Sequence, residues 1–125
     1  MSFQAYEPED RAALSVPYSS VVVSGDLVAL SGQVPITPEG ALVSDEFERQ
    51  AEQVFANLEA CVAAAGCTLA DVFKVTGYLT SLDDMPVYNE VYRRYFQPPL
   101  PARVTVGVDL PGFKLEVEAW ARKPS

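Results

Sequence analysis

Two strictly alternating runs toward the C-terminal end limit what this chain can fold into. Residues 103–110 set Val104, Val106, Val108 and Leu110 against Arg103, Thr105, Gly107 and Asp109. Pro111–Gly112 interrupts the pattern, and Phe113, Leu115, Val117 and Ala119 then alternate with Lys114, Glu116, Glu118 and Trp120. A period of two is the mark of a strand with one buried face. Folding the runs back about Pro111–Gly112 predicts an antiparallel hairpin. It places Val108 opposite Leu115 and Val106 opposite Val117 on the apolar face, with Asp109 beside Lys114 and Gly107 beside Glu116 on the other. A slip of one residue would mix the faces, so the pattern specifies its register. An L-Pro-Gly tip twists the wrong way for the tightest hairpin, which predicts a slightly longer loop.

The second face of that hairpin holds one arginine, two carboxylates, a threonine hydroxyl and the gap left by Gly107. Arginine presents a planar fork that grips a carboxylate through two parallel hydrogen bonds. A neighbouring carboxylate can position or activate a water, and a glycine inside a strand marks a place where another group comes close to the backbone. The same residues also make an ordinary solvated sheet face whose arginine balances two glutamates. Periodicity alone leaves both readings open.

Bulk properties narrow the function. A chain of 125 residues forms one domain, residues 1–125, with a single core. No apolar run approaches the ~20 residues needed to span a bilayer. Met1–Glu7 has neither a basic leader nor an apolar stretch, so no membrane association and a cytoplasmic location are expected. Seventeen acidic against nine basic residues give a net charge of −8, which repels phosphate backbones and argues against a nucleic-acid partner. Histidine is absent, removing serine–histidine triads and nearly every familiar zinc site. Two cysteines are too few for a structural metal site. Cys61 falls on the apolar stripe of a helix. Cys67 follows that helix's C-terminus, where the dipole disfavours a thiolate. No metal and no cofactor are expected.

Residues 1–15 show no period and read as an irregular lead-in. Ser19–Val23 and Leu27–Leu30 read as strands joined at Ser24-Gly25-Asp26. Apolar residues from Phe47 to Ala65 recur at helical spacing, predicting a helix over about 45–65. Ser44 or Asp45 can cap its start, Asp45 and Glu48 are spaced as a capping box, and Gly66 closes the helix. Residues 71–80 contain a strand, with Phe73, Val75, Gly77 and Leu79 alternating against Lys74, Thr76, Tyr78 and Thr80. A second helix spans about 85–96, with Asp83 or Asp84 as its cap and Pro86 in its first turn. Tyr88, Val91, Tyr92, Tyr95 and Phe96 give it an aromatic stripe, read as packing. The predicted order is β-β-α-β-α-β-β, an α+β domain with both helices on one face of a sheet. The other face is expected to carry Arg103, Thr105, Glu116, Lys74, Thr76 and Tyr78.

Pro101-Ala102-Arg103-Val104-Thr105-Val106-Gly107-Val108, with Leu110-Pro111 and Glu116-Val117-Glu118-Ala119, resembles the C-terminal signature of the YjgF/RidA family. Pro17-Tyr18-Ser19 and Leu30-Ser31-Gly32-Gln33-Val34-Pro35 match a second, N-terminal motif. Residues 50–66 and the surroundings of Asn89 are similar in character, so the likeness covers nearly the whole chain. It implies a chorismate-mutase-like fold assembled as a homotrimer, with ligand sites in the clefts between subunits. By that resemblance Arg103 clamps a substrate carboxylate and Glu116 positions or activates water. Tyr18, Ser31, Gly32, Asn89 and Thr105 line the pocket. The implied activity is that of a metal-independent 2-iminobutanoate/2-iminopropanoate deaminase, hydrolysing reactive enamines and imines such as 2-aminoacrylate to a 2-oxo acid and ammonia. The alternatives are a non-catalytic binding module for small oxo-acids on the same fold, and an aminomuconate-type deaminase. Two departures from the family pattern bear on substrate range. The stretch from Arg103 to Glu116 is shorter than the common form, and Trp120 is bulkier than the usual small aliphatic residue.

Overall fold

The computed structural model describes residues 2–11 and 15–124. These form eight regular elements: β1 (Gln4–Tyr6), β2 (Val21–Ser24), β3 (Leu27–Gln33), α1 (Phe47–Ala64), β4 (Val72–Leu79), α2 (Met85–Tyr95), β5 (Ala102–Gly107) and β6 (Leu115–Arg122). The strands make one six-stranded sheet in the order β1-β2-β3-β6-β4-β5. Both helices pack on one side, so the α+β class and the element order hold, with β1 added at the front. β1 pairs with β2 through Gln4, Ala5 and Tyr6. Its three residues are all exposed, which is why no alternation announces it.

The predicted hairpin of the two C-terminal runs does not form. β6 runs antiparallel to both β3 and β4, while β5 lies on the far side of β4 and parallel to it. The connection between them crosses the end of β4, held where Val108 N–H donates to the Leu79 carbonyl and Thr80 N–H to that of Lys114. Alternation tells which residues share a face but not which strand is the neighbour. Here β4 takes one edge of each run.

This pairing also changes the faces. Arg103, Thr105 and Gly107 lie opposite Val75, Gly77 and Leu79 on the helix side. Leu115, Val117 and Ala119 lie on that same side, across β4. Glu116 and Glu118 sit instead on the helix-free face, beside Tyr78 and Thr76. Arg103 and Thr105 therefore do not share a face with Glu116, contrary to the sequence reading. Lys74, Thr76 and Tyr78 do share it. Nor is the valine side of β5 buried within one chain, since Val104, Val106 and Val108 are 46%, 38% and 40% exposed.

The core lies between the sheet and the helices. Val21, Val28, Val75, Leu79, Leu115 and Val117 from the strands meet Val54, Phe55, Leu58 and Val62 of α1, all buried. Full burial of each such side chain stabilises the fold by roughly 1.5–3 kcal/mol. Phe55 anchors an aromatic cluster, with ring centroids 5.5–5.9 Å from those of Tyr88, Tyr92, Tyr95 and Phe96. The aromatic stripe of α2 is thus packing, as expected.

The helix boundaries follow local chemistry. α1 begins after Glu46, with no side-chain cap, so the Asp45–Glu48 box is not made. Ser44 Oγ accepts from Glu46 N–H instead. A reciprocal box appears at Thr68 and Asp71, opening the short turn before β4. Gly66 adopts φ +79° at the end of α1, a conformation that needs no Cβ. Asp84 precedes α2 without a side-chain bond, and Pro86 sits in its first turn. Buried Gln50 ties the layers together, donating to the Ser44 carbonyl and accepting from Lys114 N–H at the entrance to β6. Cys61 and Cys67 are buried free thiols. Burial pushes the Cys61 thiol up to about 11 and raises that of Cys67 as well, so both are poor nucleophiles. No helix among the described residues is long and apolar enough to cross a membrane.

Candidate functional site

The residues singled out in the sequence fall into two groups on opposite faces of the sheet. The first group surrounds a break in the pairing of β3 with β6. Between Leu30 and Gln33 the register shifts, a bulge that re-aims side chains locally. At that bulge Gly32 leaves room for Glu116: a Cβ on Gly32 would collide with the Glu116 carboxylate. Ser31 anchors the preceding loop, its Oγ donating to the Ser19 carbonyl at 2.5 Å and its N–H to that of Ser20 at 2.9 Å. That loop presents Tyr18, which is 61% exposed. Glu7 steadies it from behind by accepting from Ser20 N–H and Oγ.

Glu116 is half-buried on this face. Burial, and then the nearby Glu118 charge, raise its carboxyl above the usual carboxylate range. Glu118 itself accepts a hydrogen bond from the Tyr78 hydroxyl at 2.6 Å. Of the two carboxylates on this face, Glu118 has a hydrogen-bond donor and Glu116 is left to hold a proton or a water.

The second group gathers on the helix side around β5 and α2. The Arg103 guanidinium carbon lies 4.9 Å from the Tyr92 ring centroid and 5.2 Å from that of Tyr88. The two rings support a cation that has no carboxylate partner among the described ion pairs. Four buried polar atoms collect here without hydrogen-bond partners: Tyr88 Oη, Tyr92 Oη, Asn89 Oδ1 and Thr105 Oγ1. Buried polar atoms in native proteins are nearly always paired, so four of them on α2 and β5, the elements that carry Arg103 and its two rings, mark a place for a ligand or ordered water. Burial keeps both tyrosines protonated by raising their hydroxyls, against the opposing pull of Arg103.

The structure thus brings Tyr18, Ser31, Gly32 and Glu116 together; Arg103 and Thr105 lie apart from them on β5, and Asn89 lies on α2. Tyr88, Tyr92 and Gly77 were not foreseen as site residues. A Cβ on Gly77 would strike the Tyr88 hydroxyl, so this glycine seats the ring beneath Arg103. A glycine inside the alternating run of β4 was the available signal. Among the described residues no cluster of three or more histidine, cysteine, aspartate or glutamate side chains could hold a metal ion.

A family profile described as Endoribonuclease L-PSP matches residues 9–123. A RutC family protein of Pyrococcus horikoshii is 43% identical over 110 residues, covering 86% of this chain and 87% of that one. A 2-iminobutanoate/2-iminopropanoate deaminase of Dermatophagoides farinae is 39% identical over 106 residues, covering 82% and 83%. Among solved structures, E. coli TdcF with bound serine superposes with a TM-score of 0.90 at 34% identity, covering 97% of this chain and 99% of that one.

Proposed function

Starting from the fact that the chain belongs to the YjgF/RidA family, whose members include imine deaminases, we propose that it hydrolyses 2-imino acids to 2-oxo acids and ammonia, at sites shared between neighbouring copies in a homotrimer. The observation that carries this reading is the set of unpartnered polar atoms on α2 and β5, with Arg103 over the Tyr88 and Tyr92 rings, on the opposite face from Glu116. Each chain holds two incomplete constellations, and a neighbour's second one is needed to complete the first. The helix-free face, with its exposed valines, is the surface available for such packing.

The chemistry fits these groups. Arg103 grips the substrate carboxylate, with Asn89 and Thr105 hydrogen-bonding around it. The Ser31–Gly32 bulge and Tyr18 close the other side. The imine carbon is electrophilic already, so a water held by Glu116 attacks it without a covalent nucleophile. Glu116 takes a proton from that water and returns it to the nitrogen. The carbinolamine then loses ammonia and leaves the oxo acid. A carboxyl raised above its usual range is a better base for the first step. The remaining gain comes from holding water and imine in line. The serine bound in the related E. coli protein carries the same α-carboxylate that Arg103 would engage. The net charge of −8 weighs against acting on RNA, despite the profile's description.

The test is release of ammonia and oxo acid from imines generated freshly in solution, measured for the unaltered protein and for Glu116→Gln. Release above the spontaneous rate that falls to that rate in the variant supports the reading. Equal release by both removes it. RNA cleavage by the purified trimer would favour a nuclease instead.

A further inference from the structure

We propose that the cavity adjoining the Gly32–Glu116 constellation receives the side chain of the substrate, and that Arg11 selects an acidic one. The proposal rests on the imine-deaminase reading and extends it to a substrate class. The cavity has a volume of about 480 Å³, within the range of small-molecule sites. It shares Tyr18 and Gly32 with the candidate site. Val34, Ile36 and Pro38 give it apolar walls; Ser20, Gln33, Thr37, Asn57 and two glutamates supply polar lining, with Arg11 its one cation.

Arg11 is built into this wall rather than spread on the surface. Its side chain is 15% exposed. Its contacts are the Gln33 Oε1 at 3.5 Å, the Asn57 Oδ1 at 3.4 Å and the Asp10 carboxylate at 3.6 Å. All are long for a guanidinium, whose strong bonds fall near 2.7–2.9 Å. The Nε is buried and makes no hydrogen bond among the described residues.

The two amides cannot turn away to relieve this. Gln33 donates to the Ser31 carbonyl, and Asn57 donates to the carbonyls of Val34 and Ile36. Their oxygens stay near the cation, that of Asn57 while also accepting from Gln53 at 2.9 Å, and orient it without neutralising it. Of the two carboxylates that line the cavity, Glu7 is committed to Ser20 and Glu39 is exposed. A ligand carboxylate at the end of a short apolar stem would give Arg11 the close, bidentate partner it lacks.

The experiment compares imines generated from alanine, leucine and glutamate, using the unaltered protein and Arg11→Met, which keeps the stem and loses the charge. The expected result is a kcat/KM highest for the glutamate imine. Arg11→Met then lowers it roughly ten- to a hundredfold more than for the alanine imine. No preference for the acidic imine, or an equal loss on all three with a lowered melting temperature, would make Arg11 a latch for the N-terminal segment and overturn the proposal. Titration calorimetry with 2-oxoglutarate and pyruvate separates this from the parent reading. If no imine is hydrolysed, deamination fails. Tighter binding of 2-oxoglutarate that Arg11→Met abolishes still supports the subsite, and equal binding of both acids rejects it.

Discussion

The Arg103 guanidinium rests over the ring of Tyr92, 4.9 Å from its centroid, on the helix side of an edge strand. A cation so placed gains roughly 0.5–2 kcal/mol from the ring face, while its hydrogen-bonding edge stays free. The aromatic rings thus fix the plane of the fork without using up the donors that a carboxylate would need.

Arg103→Ala is expected to weaken binding of a small 2-oxo acid about ten- to a hundredfold, the loss of a charge-assisted hydrogen bond worth roughly 1.5–3 kcal/mol. Arg103→Lys keeps the charge but not the fork and should fall between. Calorimetry measures both, with circular dichroism as the control on folding. Unchanged affinity in a folded Arg103→Ala protein would remove the arginine from the site.

Two glycine substitutions should fail differently. Gly77→Ala drives a methyl into the hydroxyl end of fully buried Tyr88, which overpacks the core and costs typically 1–3 kcal/mol. Trimming the ring in Gly77→Ala/Tyr88→Leu should recover part of that. Gly32→Ala meets only the movable end of Glu116. It should leave the urea midpoint nearly unchanged while imine turnover falls. Equal destabilisation by both substitutions would contradict this.

Glu116 gives a pH signature. Its carboxyl is raised in the folded protein, by burial first and Glu118 second. As pH climbs through the ordinary carboxylate range, the unfolded chain loses this proton first and the native state binds more protons. Stability from this group therefore falls as pH rises until the folded carboxyl ionises too. Glu116→Gln should abolish that fall, so its urea midpoint gains on the unaltered protein as pH rises through the ordinary glutamate range. A variant that loses ground over the same interval would mean that a cation faces Glu116.

The proposed assembly can be tested at β5. Val104 and Val106 are exposed on the helix-free face, in rows with Glu118 and Glu116. Light scattering should give a trimer mass for the unaltered protein and a smaller one for Val106→Lys. Imine turnover should fall in parallel, because the proposed shared site would lose half of its groups. Full turnover from a monomer would show that one chain suffices.

Much of this was legible in the chain. Helical spacing from Phe47 onward located α1, and Pro86 with the aromatic stripe located α2. The alternation in β4 and β6 sorted core from helix-free face correctly at Val75, Leu79, Leu115 and Val117. The failure at β5 has one cause: Arg103 and Glu116 each sit on the polar side of an alternating run, and a single hairpin would have united those sides. Which edge a strand occupies depends on competition with β4, more than twenty residues earlier, and no local pattern records it. The support that Tyr88 and Tyr92 give Arg103 was hidden for the same reason, since the contact exists only once β5 has taken its place along β4. The buried amides of Gln33, Gln50 and Asn57 look like ordinary surface residues until the loops they hold are in position.

The central position of β6 sets an order of events for the growing polypeptide. Until Leu115–Arg122 has left the ribosome, β3 and β4 each have an open edge, and the helices have no continuous surface to pack on. A chain released short of that point would carry two unsatisfied strand edges and much of its apolar core in water, the state most prone to strand-by-strand aggregation. Closure of the sheet by the latest strand makes folding non-local and therefore slow. It also makes an intact 115–122 run the condition for a closed sheet, since only that strand joins β3 to β4.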